Sequence, residues 1–428
     1  MRKDMKTSGN VSADSYRGKV LPLRQRLIVK NDWLKKRLET ILPEIMKREG
    51  FDMWIVIARE YNEDPIIMSL LPEPMMSARR CTILVFNMKE DGTLERLMLT
   101  RYAQQLYEGI WDPDKEEQFD CLGKIVKEKD PKTIGINVSE TFAFGDGLTH
   151  SHYLQLEKAL GEEYMSRTKG AERLAVGWLE RRTKDEIDVY HGIVEITHVI
   201  VAEAFSSKVI TPGITTTDDI VWWMRQKILD LGLQAWFQPS IDLQAPGQTR
   251  DTKEKRKVIK PGDVLHCDVG YYYLGLATVI QEMAYVLMAG ETDAPDSLKA
   301  ALTDANKLQD FHADAMKAGR TGNEILKTAL DNAKEADVKG SIYTHPLGYH
   351  GHAAGPTIGL WDHQEGVPGR GDYQLFEDTC YAIELNARKA VPEWDGQEVR
   401  MALEQDGVFT EGKLVFLDGR QKKLHLVG

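Results

Sequence analysis

The first part of the chain combines a long helical pattern with several short apolar runs. An apolar stripe at helical spacing predicts a helix from Asn31 to Gly50, with Asn31 or Asp32 as its N-cap and the glycine as its end. The short apolar runs predict strands from Met53 to Ile57, from Cys81 to Phe86, from Leu97 to Leu99 and from Ile134 to Val138. A helical stretch from Thr149 to Leu160 follows, and these elements together predict a small α/β domain.

The second part of the chain opens with a helix signal and then mixes helices with strands. Thr183 and Glu186 are the ends of a capping box that begins a long helix, which places a domain boundary between residues 180 and 181. Further helices are predicted from Thr215 onward, from Pro295 to Ala318 and from Thr321 onward. Strand-like runs lie from Val264 to Tyr273, from Thr278 to Leu287, from Tyr381 to Leu385 and from Val399 to Glu404. We therefore expect two domains, residues 1–180 and residues 181–428, the second of the α+β class.

Composition narrows the class of protein and its partners. In the 428-residue chain 42% of the residues are hydrophobic and 28% are charged, as in globular proteins, and no apolar run is long enough to span a bilayer. A net charge of -11 argues against a nucleic-acid partner, because phosphate binding needs clustered Lys and Arg. The segment after Met1 lacks the apolar core of a secretory signal, so we expect a cytoplasmic protein, or a periplasmic one if an export signal has been removed.

One histidine and one acid lie in the middle of the strand predicted from Val264 to Tyr273. Residues two apart in a strand share a face, so His266 and Asp268 are expected to point to the same side. A buried carboxylate needs a cation, hydrogen-bond donors or a metal. The pair predicts either two metal-binding side chains in one pocket or, equally, an acid that caps a turn beside a structural histidine.

Three histidines and three glycines lie close together in the segment that begins at His345 and ends at Gly355. Glycine lets the backbone approach a site closely, and neutral histidine is a frequent metal ligand or proton carrier. We therefore expect this segment to contribute to a functional site through His345, His350 and His352. A structural role remains open for each of them, and the role of an oxyanion donor remains open for His345 and His350.

Two glutamates, Glu384 and Glu404, lie in apolar strand-like sequence and are expected to be buried. A lone buried glutamate pairs with arginine more often than with metal, and Arg400 is a candidate partner for either one. Taken together, however, the chain offers three carboxylates and one imidazole, namely Asp268, His352, Glu384 and Glu404. Such a set suits manganese, iron, cobalt or zinc rather than a metal that prefers thiolates.

This set resembles the pita-bread superfamily, which includes methionine aminopeptidase, prolidase, aminopeptidase P and creatinase. The resemblance spans roughly Thr183 to Glu411, and the preceding α/β unit resembles the N-terminal domain of the prolidase and creatinase branch. In that superfamily two Asp, one His in a Gly-His-x-x-Gly motif and two Glu hold two metal ions. The matching residues are Asp268, His352 in the motif that starts at Gly351, Glu384 and Glu404.

The second Asp of the superfamily is missing, because its spacing falls on Val279. In relatives this carboxylate bridges both ions, so its loss is expected to weaken at least one metal site. Gln281 is expected on the same strand face and offers a neutral oxygen, whereas Glu282 is expected to face the other way. Relatives also place the last acid two residues after an arginine, where this chain has Ala402, so the match of Glu404 requires a two-residue bulge.

The resemblance implies a peptidase that cleaves short peptides with proline next to the scissile bond, through a water activated by a divalent metal such as Mn, Co, Zn or Fe. It also implies proton relay by Glu384 or Glu404 and oxyanion stabilisation by His350 or His266, and it is compatible with a homodimer. Two alternatives remain open. One is a metal-free hydrolase or lyase of the creatinase kind that uses His352 or His350, and the other is a catalytically inactive module that binds a peptide.

Overall fold

A computed structural model of the protein describes residues 12–102, 105–248, 252 and 256–428. The chain divides into two compact units. One unit is Pro22–Thr183, and the other contains Lys184–Gly428 together with the described residues that precede Pro22. No helix in the described part of the chain is both long enough and apolar enough to cross a membrane.

The unit Pro22–Thr183 contains a six-stranded mixed sheet and six α-helices among its described residues. The helices are α1 (Leu23–Glu39), α2 (Ile41–Glu49), α3 (Ile67–Leu70), α4 (Gln118–Lys129), α5 (His150–Met165) and α6 (Glu172–Glu180). The strands are β1 (Met53–Ala58), β2 (Thr82–Met88), β3 (Leu94–Leu99), β4 (Glu108–Gly109), β5 (Ile134–Ile136) and β6 (Thr168–Gly170). Their order in the sheet is β4-β3-β2-β1-β5-β6, and a core of aliphatic side chains lies between this sheet and α4 and α5.

The first helical region differs from the sequence prediction. The chain becomes helical at Leu23, directly after Pro22, rather than at Asn31. Pro22 is the N-cap residue, with φ -58° and ψ 152°, and it has no backbone N–H that would need a partner at this position. The helix is interrupted at Thr40, and Gly50 ends the second piece in the left-handed conformation (φ 74°), as predicted. The single apolar stripe therefore belongs to two consecutive helices.

The second unit contains a ten-stranded sheet and four α-helices among its described residues. The helices are α7 (Lys184–Ala204), α8 (Thr217–Asp230), α9 (Asp296–Ala315) and α10 (Gly322–Glu335). The strands are β7 (Gln234–Ala235), β8 (Ser240–Gln244), β9 (Val264–Tyr273), β10 (Leu276–Val286), β11 (Lys339–Ile342), β12 (His345–Leu347), β13 (Thr379–Ala390), β14 (Glu398–Thr410), β15 (Lys413–Phe416) and β16 (His425–Val427). The main path is β11-β13-β14-β10-β9-β7, while β12, β15, β16 and β8 pair with β13, β14, β10 and β9.

The helices of this unit begin where the sequence signals them. Thr216 caps α8 in a capping box with Asp219, and Thr321 caps α10 in a capping box with Glu324. The apolar faces of α9 and α10 join side chains of β10, β13 and β14 in one buried core. This core holds the strands that carry the predicted site residues.

The strands β13 and β14 pair in unbroken antiparallel register along Thr379–Ala390. The bulge expected before Glu404 is therefore not present in this ladder, and that expectation is wrong. No bulge is needed, because side chains two residues apart in a strand point to the same face. Glu404 lies two residues farther from Arg400 than the matching acid of relatives, and it therefore still points to the face occupied by Glu384.

The close approach of β9 and β10 at Gly270 generates a stability prediction. A Cβ atom at Gly270 would overlap the carbonyl oxygen of Thr278 and the indole nitrogen of Trp236. We expect Gly270→Ala to lower the free energy of unfolding by about 1–3 kcal/mol, the usual effect of overpacking. Gly192→Ala is the matched control, because Gly192 lies in α7 with open space at its Cβ position. Urea unfolding compares the two variants, and equal stability would contradict the packing.

Candidate active site

Four neighbouring strands each bring one polar side chain to the same place on one face of the sheet. Asp268 of β9 lies opposite Gln281 of β10. Gln281 in turn lies opposite Glu404 of β14, and Glu404 lies opposite Glu384 of β13. Residues directly opposite each other in antiparallel strands have Cβ atoms about 5 Å apart. Three carboxylates that are distant in sequence therefore lie with Gln281 in one row across the sheet, which we call the row of acids.

The tightest group in this row consists of His345, Glu384 and Glu404, which form the His345 cluster. One potential ligand atom from each residue lies within 4.8 Å of the other two. The Nε2 atom of His345 is 3.2 Å from Oε1 of Glu404, and both of these side chains are buried. An imidazole and two carboxylates at this separation form a donor set that suits a divalent first-row cation.

The amide of Gln281 connects the two glutamates to His266. Its Nε2 donates to Oε1 of Glu384 at 2.9 Å and to Oε2 of Glu404 at 2.8 Å. Its Oε1 accepts from Nε2 of His266 at 2.9 Å. In this orientation the amide oxygen of Gln281 faces His266 and the amide nitrogen faces the two glutamates. A role of that oxygen as a metal ligand stays a prediction.

Burial and mutual repulsion make the acids of this row difficult to ionise. Burial, followed by the charges of Glu404 and Glu384, raises the pKa of Asp268 well above its usual value. Burial and then the charge of Glu384 do the same to the pKa of Glu404. A nearby positive charge has the opposite effect, because it favours the ionised form. The row therefore has the electrostatic character of a cation site.

The imidazole of the His345 cluster comes from His345 and not from His352. The ring of His352 packs edge-on against that of His345, with centroids 4.6 Å apart, and against Trp236. Burial, followed by the neighbouring His345 and Arg370, lowers the pKa of His352 to about 4. His352 is thus a neutral side chain at the edge of the cluster, and its role as a metal ligand stays a prediction.

The other two predicted histidines lie outside the His345 cluster. His266 contacts the glutamates of the cluster through Gln281, and burial lowers the pKa of His266. His350 lies in the turn that follows β12, where its carbonyl oxygen accepts from the backbone N–H of Gly348 at 3.2 Å. Their predicted roles in oxyanion stabilisation stay predictions.

A pocket of about 190 Å³ opens over the row of acids. Its wall contains Ser240, Asp242, His266, Asp268, Gln281, Ser341, Tyr343, Trp361, Glu384, Leu385, Asn386 and Arg400. Trp361 is 79% exposed, so an aromatic face is available beside the acids. A larger pocket of about 940 Å³ lies in the unit Pro22–Thr183, and none of the predicted site residues contributes to it. The smaller pocket is therefore the candidate active site.

Comparison with known families assigns the chain. The family model described as metallopeptidase family M24 matches residues 191–413, which is more than half of the chain. This chain belongs to metallopeptidase family M24. The resemblance to the pita-bread superfamily is thereby confirmed, together with the α+β class and the preceding α/β domain. A comparison with curated protein sequences finds no significant match.

Several solved structures share the fold over nearly the whole chain. The X-Pro aminopeptidase from Thermotoga maritima MSB8 is similar with a TM-score of 0.64 and 18% identity, covering 90% of this chain and 100% of that one. The Xaa-Pro dipeptidase from Bacillus anthracis has a TM-score of 0.61 and 19% identity, covering 94% and 99%. The N-terminal domain of the FACT complex subunit SPT16 from Cicer arietinum (chickpea) has a TM-score of 0.55 and 12% identity, covering 93% and 99%. At these identities the likeness shows the fold alone.

In this M24 protein the position expected for the second Asp is apolar, and another carboxylate lies next to it. Val279 is buried opposite Gly270. Its backbone N–H donates to Asp406 of β14 at 3.3 Å, and the hydroxyl of Thr278 donates to the same carboxylate at 2.6 Å. Burial raises the pKa of Asp406 to about 7. Asp406 is a site residue that was not predicted from the sequence, although its spacing of two residues from Glu404 was a usable signal.

The raised pKa values predict how the stability of the metal-free M24 protein depends on pH. When they are protonated, Asp268, Glu404 and Asp406 favour the folded state, because their folded-state pKa exceeds the unfolded value of about 4. This contribution is lost as the pH rises from the unfolded-state value to the folded-state pKa, which is about 7 for Asp406, because over that range only the unfolded state releases the proton. We expect the melting temperature of chelator-treated protein to fall by a few degrees between about pH 5 and pH 7.

Differential scanning fluorimetry measures this change, and added Mn²⁺ is the control. A divalent cation favours the ionised acids, so it should abolish the fall in melting temperature. A metal-free melting temperature that rises over the same range would contradict the presence of buried acids without a counter-charge.

Proposed function

We propose that this M24 protein is a metal-dependent hydrolase of short peptides. The observation that carries the proposal is the convergence of His345, Glu384 and Glu404 within 4.8 Å of one another. Membership in a metallopeptidase family supports it. The raised pKa of Glu404 supports it further, because burial and Glu384 disfavour its charge until a cation is bound.

The His345 cluster would hold the cation, with Asp268 beside it in the same row. When bound, a divalent cation supplies a water of lowered pKa and an electrophile for the scissile carbonyl. In this proposal the carboxylate of Glu384 or Glu404 would accept a proton at an Oε atom. His352, which packs on His345, would donate a hydrogen bond to the carbonyl oxygen of the substrate.

The proposed substrate is a short peptide with proline after the cleaved bond. An X-Pro aminopeptidase and an Xaa-Pro dipeptidase are among the similar structures. The pocket volume of about 190 Å³ favours a small substrate. The rings of Tyr343 and Trp361 in its wall offer apolar faces to a pyrrolidine ring. A cytoplasmic location and a homodimer stay predictions from the sequence.

A catalytically inactive peptide-binding module is the second candidate, and Gln281 is the observation that favours it. Its amide already donates to Glu384 and Glu404, so these acids have partners without a cation. Val279 removes the bridging carboxylate that relatives use. The fold also occurs in a subunit of the FACT complex. This candidate predicts peptide binding without cleavage and without metal.

Replacement of the cluster imidazole tests the proposal. We expect His345→Ala to weaken Mn²⁺ binding by at least about tenfold and to abolish cleavage of Xaa-Pro dipeptides, because it removes one ligand of the cation. His363→Ala is the matched control, since His363 is an exposed histidine of the same chain segment. Isothermal titration calorimetry and an assay of released proline measure the two effects.

The outcomes of this experiment separate the candidates. Unchanged Mn²⁺ affinity in His345→Ala would overturn the proposed function. Cleavage by the wild type that survives chelators and disappears in His352→Ala would favour the metal-free hydrolase. Peptide binding by a wild type that holds no metal and cleaves nothing would favour the inactive module.

A second prediction concerns the position of the missing carboxylate. Val279→Asp is expected to tighten Mn²⁺ binding by about tenfold or more, because it adds an anionic oxygen on the face of Gln281. Without metal the same change should lower the melting temperature, since it buries a charge beside Asp406. Val279→Asn is the control of equal size and no charge. Weaker Mn²⁺ binding in Val279→Asp than in Val279→Asn would contradict the placement of the cation.

A further inference from the structure

The pocket of about 940 Å³ in the unit Pro22–Thr183 has no part in the proposed function, and its wall is strongly basic. The wall contains Arg79, Arg80 and Arg101, and its described residues include no aspartate, glutamate or lysine. The whole chain carries a net charge of -11, so this positive charge is a local feature. Pockets of about this size typically hold one small molecule. The charge of the wall indicates an anionic one.

The pairing of β2 with β3 brings these arginines to one end of the sheet. Ile83 at the start of β2 lies opposite Leu99 at the end of β3. Two of the arginines directly precede β2, and Arg101 directly follows β3. The side-chain amide of Gln118 joins the two strand ends, because it donates to the carbonyl oxygen of Leu99 at 2.7 Å and to that of Cys81 at 3.3 Å. The base of the pocket is therefore built on regular elements.

The backbone of Arg79 adopts the left-handed conformation, with φ 56°. Few residues other than glycine do so, and such residues concentrate at functional sites. The carbonyl oxygen of Arg79 accepts from the backbone N–H of Glu60, and its own N–H donates to the hydroxyl of Ser77 at 3.4 Å. The carboxylates of this loop have other donors, since Glu60 accepts from Ser77 at 3.4 Å and Glu63 accepts from the N–H of Ala78 at 3.2 Å.

The charges of the three arginines are not balanced by ion pairs within the part of the chain that the structure describes. All three side chains are exposed. Arg101 contributes to the lowered pKa of Asp112, but the larger cause is the hydrogen bond from Lys115, whose Nζ lies 2.9 Å from Oδ2 of Asp112. Like charges in one wall repel one another, and an anion in the pocket would relieve that repulsion.

Aromatic side chains form another part of the same wall. Trp111 is half-buried, and its Nε1 donates to the carbonyl oxygen of Glu116 at 2.9 Å, which fixes the plane of the ring. Tyr102 is largely exposed and lines the same pocket. Aromatic rings stack on flat bases, and guanidinium groups bind phosphate through two parallel hydrogen bonds. The wall therefore offers contacts for a flat ring and for phosphates.

We propose that this pocket, which we call the Arg79 pocket, binds a nucleoside di- or triphosphate. The arginines would bind the phosphates, and Trp111 and Tyr102 would contact the base. A chain of phosphates offers several negative charges to the three guanidinium groups, whereas a single carboxylate offers only one. The proposal is independent of the proposed function, because the Arg79 pocket and the His345 cluster belong to different units of the chain.

Isothermal titration calorimetry of the full-length chain tests the proposal with ATP, GTP, CTP and UTP, and with tripolyphosphate as the ligand without a base. We expect a Kd below about 1 mM for at least one nucleotide, and binding of tripolyphosphate that is weaker by about tenfold, because it lacks the stacked ring. Trp111→Leu should weaken binding of that nucleotide by about fivefold or more and leave the binding of tripolyphosphate nearly unchanged.

Arginine variants test the phosphate contacts. We expect Arg79→Gln and Arg101→Gln each to raise the Kd of the nucleotide by about tenfold, because each removes charge-assisted hydrogen bonds. Arg24→Gln is the matched control, since Arg24 is an exposed arginine of α1 that does not line the pocket. His345→Ala is the control for nucleotide bound at the metal cluster, and it should leave the Kd unchanged.

Each other outcome would overturn the proposal. These outcomes are no binding of any of the four nucleotides at about 1 mM, an unchanged Kd in both arginine variants, and tripolyphosphate that binds as tightly as the nucleotides. A Kd that rises in His345→Ala and not in the arginine variants would place the nucleotide at the metal cluster, and it would leave the proposed function intact. Circular dichroism checks the folding of each variant. If Trp111→Leu does not fold, the comparison of nucleotide with tripolyphosphate in the wild type decides.

Discussion

Carboxylates that lie side by side on one face of a sheet can be ionised together only when positive charge or hydrogen-bond donors reach them. The register of β9, β10, β14 and β13 imposes this situation on Asp268, Glu404 and Glu384. Gln281 relieves it in part, because one amide nitrogen donates to both glutamates. The negative charges that remain uncompensated explain why the pKa values of Asp268 and Glu404 are raised. They also explain why an imidazole, that of His345, lies beside the glutamates.

The valine at position 279 changes the electrostatics of the metal-free state as well as the metal site. A carboxylate there would be a further negative charge in a row that already disfavours ionisation. With Val279 the neighbouring Asp406 instead accepts hydrogen bonds from the backbone of Val279 and from Thr278. The centre therefore has fewer charges to compensate when no cation is bound. On the proposed function, the departure from the family pattern would weaken cation binding and stabilise the metal-free protein for the same reason, which is the smaller number of buried negative charges.

The local part of this arrangement was predictable from the sequence, and the non-local part was not. The period of two placed His266 and Asp268 on one face, and it placed Glu282 on the other, where its carboxylate contacts His425. Which residues lie opposite each other depends on packing between strands that are far apart in sequence, so Asp406 did not stand out. Capping signals, which are local, located the starts of α8 and α10.

The histidine-rich segment shows the same limit. The Gly-His-x-x-Gly motif predicts His352 as the ligand, but a sequence motif contains no information on how the backbone pairs with the neighbouring strand. The short strand β12 places His345 opposite Ala382, two residues from Glu384 on the same face of β13. That pairing brings His345 into the His345 cluster and leaves His352 packed on its edge. Only the three-dimensional register separates the two histidines.

The position of Gln281 has a consequence for how the centre would fill. One planar amide is held by His266 on one side and by two glutamates on the other, so it cannot turn toward one side without leaving its partners on the other. A ligand that displaces the amide on one side must therefore alter the affinity of the other side, and thermodynamic reciprocity makes the effect mutual. A change at His266 and a change at the two glutamates are therefore coupled through one side chain.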